Sequence, residues 1–152
     1  MALGRHSMGI NKGGGTETAD RFLDSTLESV DSAEAWAIEI AQKAGVNEDD
    51  LAKISMAVRE SMVNAVVHGN QYSAHKKVRV SLSKSAGRFT ITITDEGNGF
   101  DPDTLPDPLA TENLMRSSGR GIFLIRAFMD EFQVRRLNPG MEVTMVKYLD
   151  PA

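Results

Sequence analysis

Apolar positions recur along this chain with two periods, and the switches between them divide it into elements. From Leu51 to Val66 the residues Leu51, Ile54, Val58, Met62, Ala65 and Val66 follow at steps of three and four, the spacing of one helix face. Asn47 and Asp50 stand in capping-box spacing ahead of them, so a helix is expected from there to about Val67, with His68-Gly69-Asn70 as its end. Upstream, Asp31 and Glu34 show the same spacing before Trp36, Ile38, Ile40 and Ala41. This predicts a first helix to about Ala44, closed by Gly45. Val78, Val80 and Leu82 alternate with polar residues, and so do Phe89, Ile91 and Ile93, with Ala86-Gly87 between the two runs. That pattern predicts a β-hairpin whose strands bury one face.

The remaining elements are fainter. Residues 20–28 predict an edge strand. A helix is expected to open at Gly119-Arg120-Gly121 and to run through Ile122, Leu124, Ile125, Phe128 and Met129. Phe132 and Val134, then Met141, Val143 and Met145, predict two last strands around Asn138-Pro139-Gly140. From Glu96 to Ser118 no period holds, and prolines stand at 102, 106 and 108; a stretch of this kind is read as a lid or binding loop. Residues 1–16 contain three consecutive glycines and no periodicity, and are read as a flexible N-terminal tail. With no strand before it and no helix after it, that triple glycine is a poor phosphate loop. Residues 17–152 are then one domain. The order of helix pair, hairpin, loop, helix and hairpin implies an α/β (α+β) two-layer sandwich. Its largely antiparallel, mixed sheet is covered on one face by about three helices.

Composition narrows the setting. The chain has 152 residues, 41% hydrophobic and 25% charged, as expected for a globular domain with a sizeable core. Net charge is −4 and the pI about 5.4, which argues against direct nucleic-acid binding. The absence of cysteine excludes disulfides and thiolate metal sites and suits a reducing cytoplasm. No run has the length of a membrane span, and no apolar signal region opens the chain. No membrane association is expected.

Three short stretches carry chemistry. In ESMVNAVVHGN, Glu60, Asn64 and His68 are four residues apart, stepping only about 40° each around a helix turned by about 100° per residue. They form a polar stripe bordering the apolar face. An amide oxygen such as that of Asn64 is a hard, neutral ligand for Mg²⁺. A carboxylate such as Glu60 can take a proton from an attacking hydroxyl. The plain alternative is a solvated helix face with a structural histidine. In DEGNGF, Asp95 ends an alternating strand and Gly97 and Gly99 follow. A carboxylate there can accept hydrogen bonds from a purine amino group, and the glycines let a flat ring approach. The alternatives are an acidic glycine turn or, against the pattern, a calcium loop. In SSGRGIFLI, Gly119 and Gly121 stand at a helix start with Arg116 and Arg120 beside them. Free backbone N–H groups and the helix dipole favour an anion such as phosphate there; an ordinary loop-to-helix junction is the alternative.

Taken together and in this order, the three stretches resemble the GHKL ATPase/kinase superfamily with its Bergerat ATP-binding fold. The likeness is strongest to anti-sigma factor serine/threonine kinases of the RsbW and SpoIIAB type. ESMVNAVVHGN is similar to the N box, DEGNGFDP to the first glycine box, and SGRGIFLIRAFMDE to the second. DPLATENLMRSSGRG is similar to that group's short lid, and the resemblance covers roughly residues 20–149. It implies that Asn64 coordinates the Mg²⁺ bridging the ATP phosphates and that Glu60 is the general base toward a serine hydroxyl. It implies that Asp95 binds the adenine amino group and that Gly97 and Gly99 shape the adenine pocket. Gly119 and Gly121, with Arg120 between them, would lie near the phosphates, and His68 at the edge of the nucleotide site. The implied partners are a sigma factor, an anti-anti-sigma antagonist carrying the target serine, and a second copy in a homodimer.

Two positions depart from the pattern. Ser117 stands where some relatives carry arginine before the Ser-Gly of the second glycine box. Met141 stands where relatives outside this subgroup often carry a threonine close to adenine, which puts that polar contact in doubt. A second reading keeps nucleotide binding without useful kinase activity, as a nucleotide-gated protein-binding module. A histidine kinase catalytic domain is disfavoured for want of a phosphoacceptor helix pair, and a topoisomerase or mismatch-repair ATPase for want of a transducer domain.

Overall fold

A computed structural model of the chain describes residues 8–11, 16–97 and 121–150. Strands β1 (Met8–Asn11), β2 (Thr16–Asp24), β3 (Lys77–Ser85), β4 (Arg88–Thr94), β5 (Glu131–Arg136) and β6 (Met141–Tyr148) form one sheet in the order β1-β2-β3-β4-β6-β5. Each described pairing is antiparallel. Helices α1 (Leu27–Ala44), α2 (Glu48–Val63) and α3 (Gly121–Phe128) accompany it, with a π-helical segment, Asn64–Gly69, continuing α2. α2 packs between α1 and α3, and the helices meet the sheet through α1 on β3 and β4 and α2 on β6. This is the expected α+β sandwich.

The predicted alternation explains the layering. Val78, Val80, Leu82, Phe89, Ile91 and Ile93 are all buried, each contributing about 1.5–3 kcal/mol relative to exposure. Their β4 neighbours Thr90, Thr92 and Thr94 lie on the opposite, partly exposed face. From the helix side, Ile54, Val58, Met62 and Val66 are fully buried in the same core. Gly87 closes the β3–β4 turn with φ 74, a left-handed value that glycine adopts without steric cost.

Four boundaries differ from expectation. Met8–Asn11, read above as part of a tail, pairs with Thr16–Ala19 as an edge strand. The short β-forming run had no alternation to reveal it. β2, read as an edge strand, is therefore an inner one, between β1 and β3. α1 begins four residues before Asp31. Its N-cap is Thr26, whose side chain accepts the Ser29 N–H. The spacing of Asp31 and Glu34 serves another purpose, because residues three apart share a helix face. Arg59 Nη1 of α2 bonds both, at 2.8 Å and 2.6 Å. The fourth difference is the helix end: α2 stops being α-helical at Val63. Asn47 and Gly45 behave as predicted. Asn47 Oδ1 accepts the Asp50 N–H at 2.9 Å, and Gly45 closes α1 in the left-handed conformation.

Candidate functional site

The π-helical segment places the polar stripe. From Asn64 onward the turns widen, and the Asn70 N–H bonds the Ala65 carbonyl at 2.8 Å, five residues back. Single π turns inside helices are frequent at functional sites. Glu60 lies on the last α turns and is half-buried, Asn64 opens the wide segment and is half-buried, and His68 is exposed. Of the expected polar stripe, Glu60 and Asn64 are therefore half-buried, while His68, within the wider turn, is exposed. Among the described residues none forms a hydrogen bond or ion pair with the side chains of Glu60, Asn64 or His68.

The segment ends against Asp95. Asp95 follows β4 and is 9% exposed. A Cβ added to Gly69 would lie 2.4 Å from its Oδ2, and one on Gly97 would lie 1.9 Å from the Gly69 carbonyl oxygen. A Cβ on Gly140 would come within 2.0 Å of the Asp95 carbonyl oxygen, and Gly140 also holds φ 106. Gly69 and Gly140 thus close on Asp95, and Gly97 closes on Gly69, because a larger residue at each place would collide with the aspartate or with the Gly69 backbone. In the sequence, Gly97 reads as a site residue, and Gly69 and Gly140 only as a helix end and a turn. Their signal is modest: each glycine sits at an element end, where turn chemistry alone accounts for it.

Hydrogen bonds complete the clamp. The Asp95 N–H donates to the Met141 carbonyl at 3.0 Å, and Asp95 Oδ1 accepts the Gly97 N–H at 2.9 Å. Burial pushes the Asp95 carboxyl up to about 6. The backbone amides of Gly97 and Met141 and the charge of Lys76 oppose this rise, and Glu96 adds to it. Loss of water around the charged form outweighs the donors that favour it. At Met141, then, the backbone rather than the side chain touches Asp95. The missing threonine does not remove the contacts that hold the aspartate.

A buried carboxylate beside closely packed glycines suits a flat ligand carrying an amino group. A half-buried amide without a described partner, one helix segment away, suits an oxygen-seeking cation. Among the described residues no three His, Asp or Glu side chains gather into a protein-only metal cage. A lone amide oxygen fits Mg²⁺, which keeps several waters and takes its remaining ligands from phosphates. α3 is described from Gly121 and packs on α2. Gly99, Gly119, Arg120 and the expected lid lie outside the described residues. No described helix is long and apolar enough to cross a membrane.

Known proteins resemble this chain in sequence and in fold. A family model described as a histidine kinase-like ATPase domain matches residues 23–147. The serine-protein kinase RsbW of Bacillus velezensis is 30% identical over 117 residues, covering 73% of this chain and 72% of its own. That of Staphylococcus epidermidis is 29% identical over 134 residues, 84% of each chain. A crystal structure of the RsbU and RsbW domains of a Mycobacterium tuberculosis protein superposes with a TM-score of 0.65 at 20% identity. It covers 89% of this chain and 33% of that one, and it shares the fold. The chain belongs to the histidine kinase-like ATPase family of GHKL proteins, within the group of the RsbW serine-protein kinases.

Proposed function

We propose that this protein is an ATP-dependent serine/threonine kinase that acts as an anti-sigma factor in the cytoplasm. It would phosphorylate a serine on an anti-anti-sigma antagonist and, when that antagonist is phosphorylated, hold a sigma factor. The observation that carries the reading is the buried Asp95, packed beside Gly69, Gly97 and Gly140 at the end of the segment bearing Asn64. The family match and the RsbW relatives support the kinase assignment.

In this reading Asp95 accepts a hydrogen bond from the adenine amino group, and Gly97 and Gly99 let the base lie close to the backbone. Asn64 would hold Mg²⁺ through its amide oxygen, and the ion would supply charge neutralisation at the phosphates. Gly119, Arg120 and Gly121 present backbone N–H groups and a positive charge to the phosphates at the head of α3. The exposed His68 borders the nucleotide site. Glu60 removes the serine proton as the serine oxygen bonds to the γ-phosphorus; the bond from that phosphorus to the β–γ bridging oxygen breaks, and ADP leaves. Little covalent chemistry falls to the protein, since phosphoryl transfer depends mostly on positioning and charge stabilisation. A homodimer and a sigma-factor surface complete the proposal.

The test is transfer of label from γ-labelled ATP to a purified anti-anti-sigma antagonist. The wild type is expected to label a serine, while Glu60→Gln binds ATP and labels the antagonist at least about 100-fold more slowly. Labelling by Glu60→Gln at the wild-type rate refutes the base assignment. ATP binding without labelling by the wild type would identify a nucleotide-gated binding module instead.

A further inference from the structure

The last residue of ESMVNAVVHGN, Asn70, has no part in the assignments above, yet it is the most fully bonded side chain near the site. It is 1% exposed. Its Nδ2 donates to Ser25 Oγ at 2.9 Å and to the Lys77 carbonyl at 3.0 Å. Its Oδ1 accepts the Glu96 N–H at 2.8 Å. Ser25 passes the connection on, donating to the Lys76 carbonyl at 2.6 Å. One amide thus ties together the end of the π-helical segment, the β2–α1 junction, the start of β3 and the exit of β4. Both of its donor hydrogens and its acceptor oxygen are used, so neither polar atom of this side chain is buried unsatisfied.

The bond to Glu96 bears most directly on the site. The Glu96 N–H belongs to the peptide that joins Asp95 to Glu96. The carbonyl oxygen of that same peptide is the atom against which Gly140 closes. On the other side of Asp95 the N–H is held by Met141. Asn70 therefore fixes the peptide plane immediately after the aspartate, leaving Asp95 no backbone freedom to turn its carboxylate.

We propose that Asn70 is the positioning residue for base selectivity, holding Asp95 where it accepts from the 6-amino group of adenine and opposes the 6-oxo group of guanine. The proposal rests on the nucleotide-site reading above. A carboxylate rejects an acceptor only if it cannot move aside, and sites built around a fixed hydrogen bond discriminate far more strongly than adaptable ones.

Calorimetric titration of Mg-ATP and Mg-GTP into the wild type, Asn70→Ala and Asn70→Asp, with folding followed by thermal unfolding, tests it. Asn70→Ala is expected to lower the ATP:GTP affinity ratio by about tenfold or more. Asn70→Asp keeps an acceptor for the Glu96 N–H but loses both donors. It is expected to be less stable, to bind both nucleotides more weakly, and to keep the ratio within about threefold of wild type. Unchanged selectivity in Asn70→Ala overturns the proposal, and so does lost selectivity in Asn70→Asp. If Asn70→Ala does not fold, Asn70→Asp decides alone by the same criterion. A wild type that binds neither nucleotide refutes the nucleotide-site reading and the role of Asn70 with it; one that binds both equally overturns the role of Asn70 alone.

Discussion

Replacing Asp95 by asparagine removes a charge that the fold buries at a cost, and the cost depends on pH in a calculable way. In the unfolded chain the carboxyl titrates near 3.8, and in the folded protein burial moves it to about 6. Well below pH 3.8 both states hold the proton, and the folded protein buries a neutral group. Between pH 4 and 6 the unfolded chain gives up the proton while the folded protein keeps it. The folded state then binds more protons, so stability falls as pH rises. Above pH 6 both are ionised and the whole penalty is present. At about 1.4 kcal/mol per pH unit, the gap corresponds to about 3 kcal/mol. The amide of the Asp95→Asn variant would fill the same space with no charge to bury. Urea unfolding of both proteins from pH 4 to 8 should show the variant gaining on the wild type by about 3 kcal/mol, nearly all of it below pH 6.5. Any constant offset from exchanging an oxygen for an NH₂ group leaves that slope intact. A difference that stays flat across the range, or narrows as pH rises, would refute the burial account of Asp95.

Gly97→Ala drives a methyl into the Gly69 carbonyl, 1.9 Å away. The backbone cannot yield cheaply, so a loss of about 1–3 kcal/mol is expected in urea unfolding. Gly69→Ala meets the Asp95 carboxylate instead, at 2.4 Å; it should displace that side chain and weaken ATP binding more than it weakens the fold, as calorimetry and urea unfolding together would show. Asn47→Ala removes the cap on the Asp50 N–H and should cost about 1 kcal/mol in urea unfolding, with no change in nucleotide affinity because α2 begins far along the helix from Asn64.

Much of this was legible from residue order, and the exceptions have physical causes. β3 and β4 bury one face and expose the other, so their period-two pattern survives in the sequence. Asn47 and Gly45 cap helices with chemistry local to a few residues, and they read correctly. Asp31 and Glu34 mimic a cap because i, i+3 spacing describes both a helix start and a helix face; only the position of Arg59 on α2 distinguishes the two. The π-helical turn at Asn64 was hidden because its cause is tertiary: Gly69 must meet Asp95, about 26 residues later in sequence, and local propensity does not encode that meeting. Gly140 and Asn70 were missed for the same reason, since each acts on the backbone around Asp95 from a distant part of the chain. Asp95 itself stands out in the sequence as a candidate site residue from its place at a strand end before glycines. Its perturbed titration does not, since it depends on burial by other elements.

The most direct measurement of the central claim is the affinity of Mg-ATP for the wild type and for Asp95→Asn at pH 8, by calorimetry. At that pH the variant is expected to be the more stable protein, so lost binding cannot be laid to unfolding. The wild type should bind, and Asp95→Asn should bind at least about tenfold more weakly, the loss of one charge-assisted hydrogen bond. Equal affinity in the two proteins would contradict the assignment of Asp95 to the adenine base.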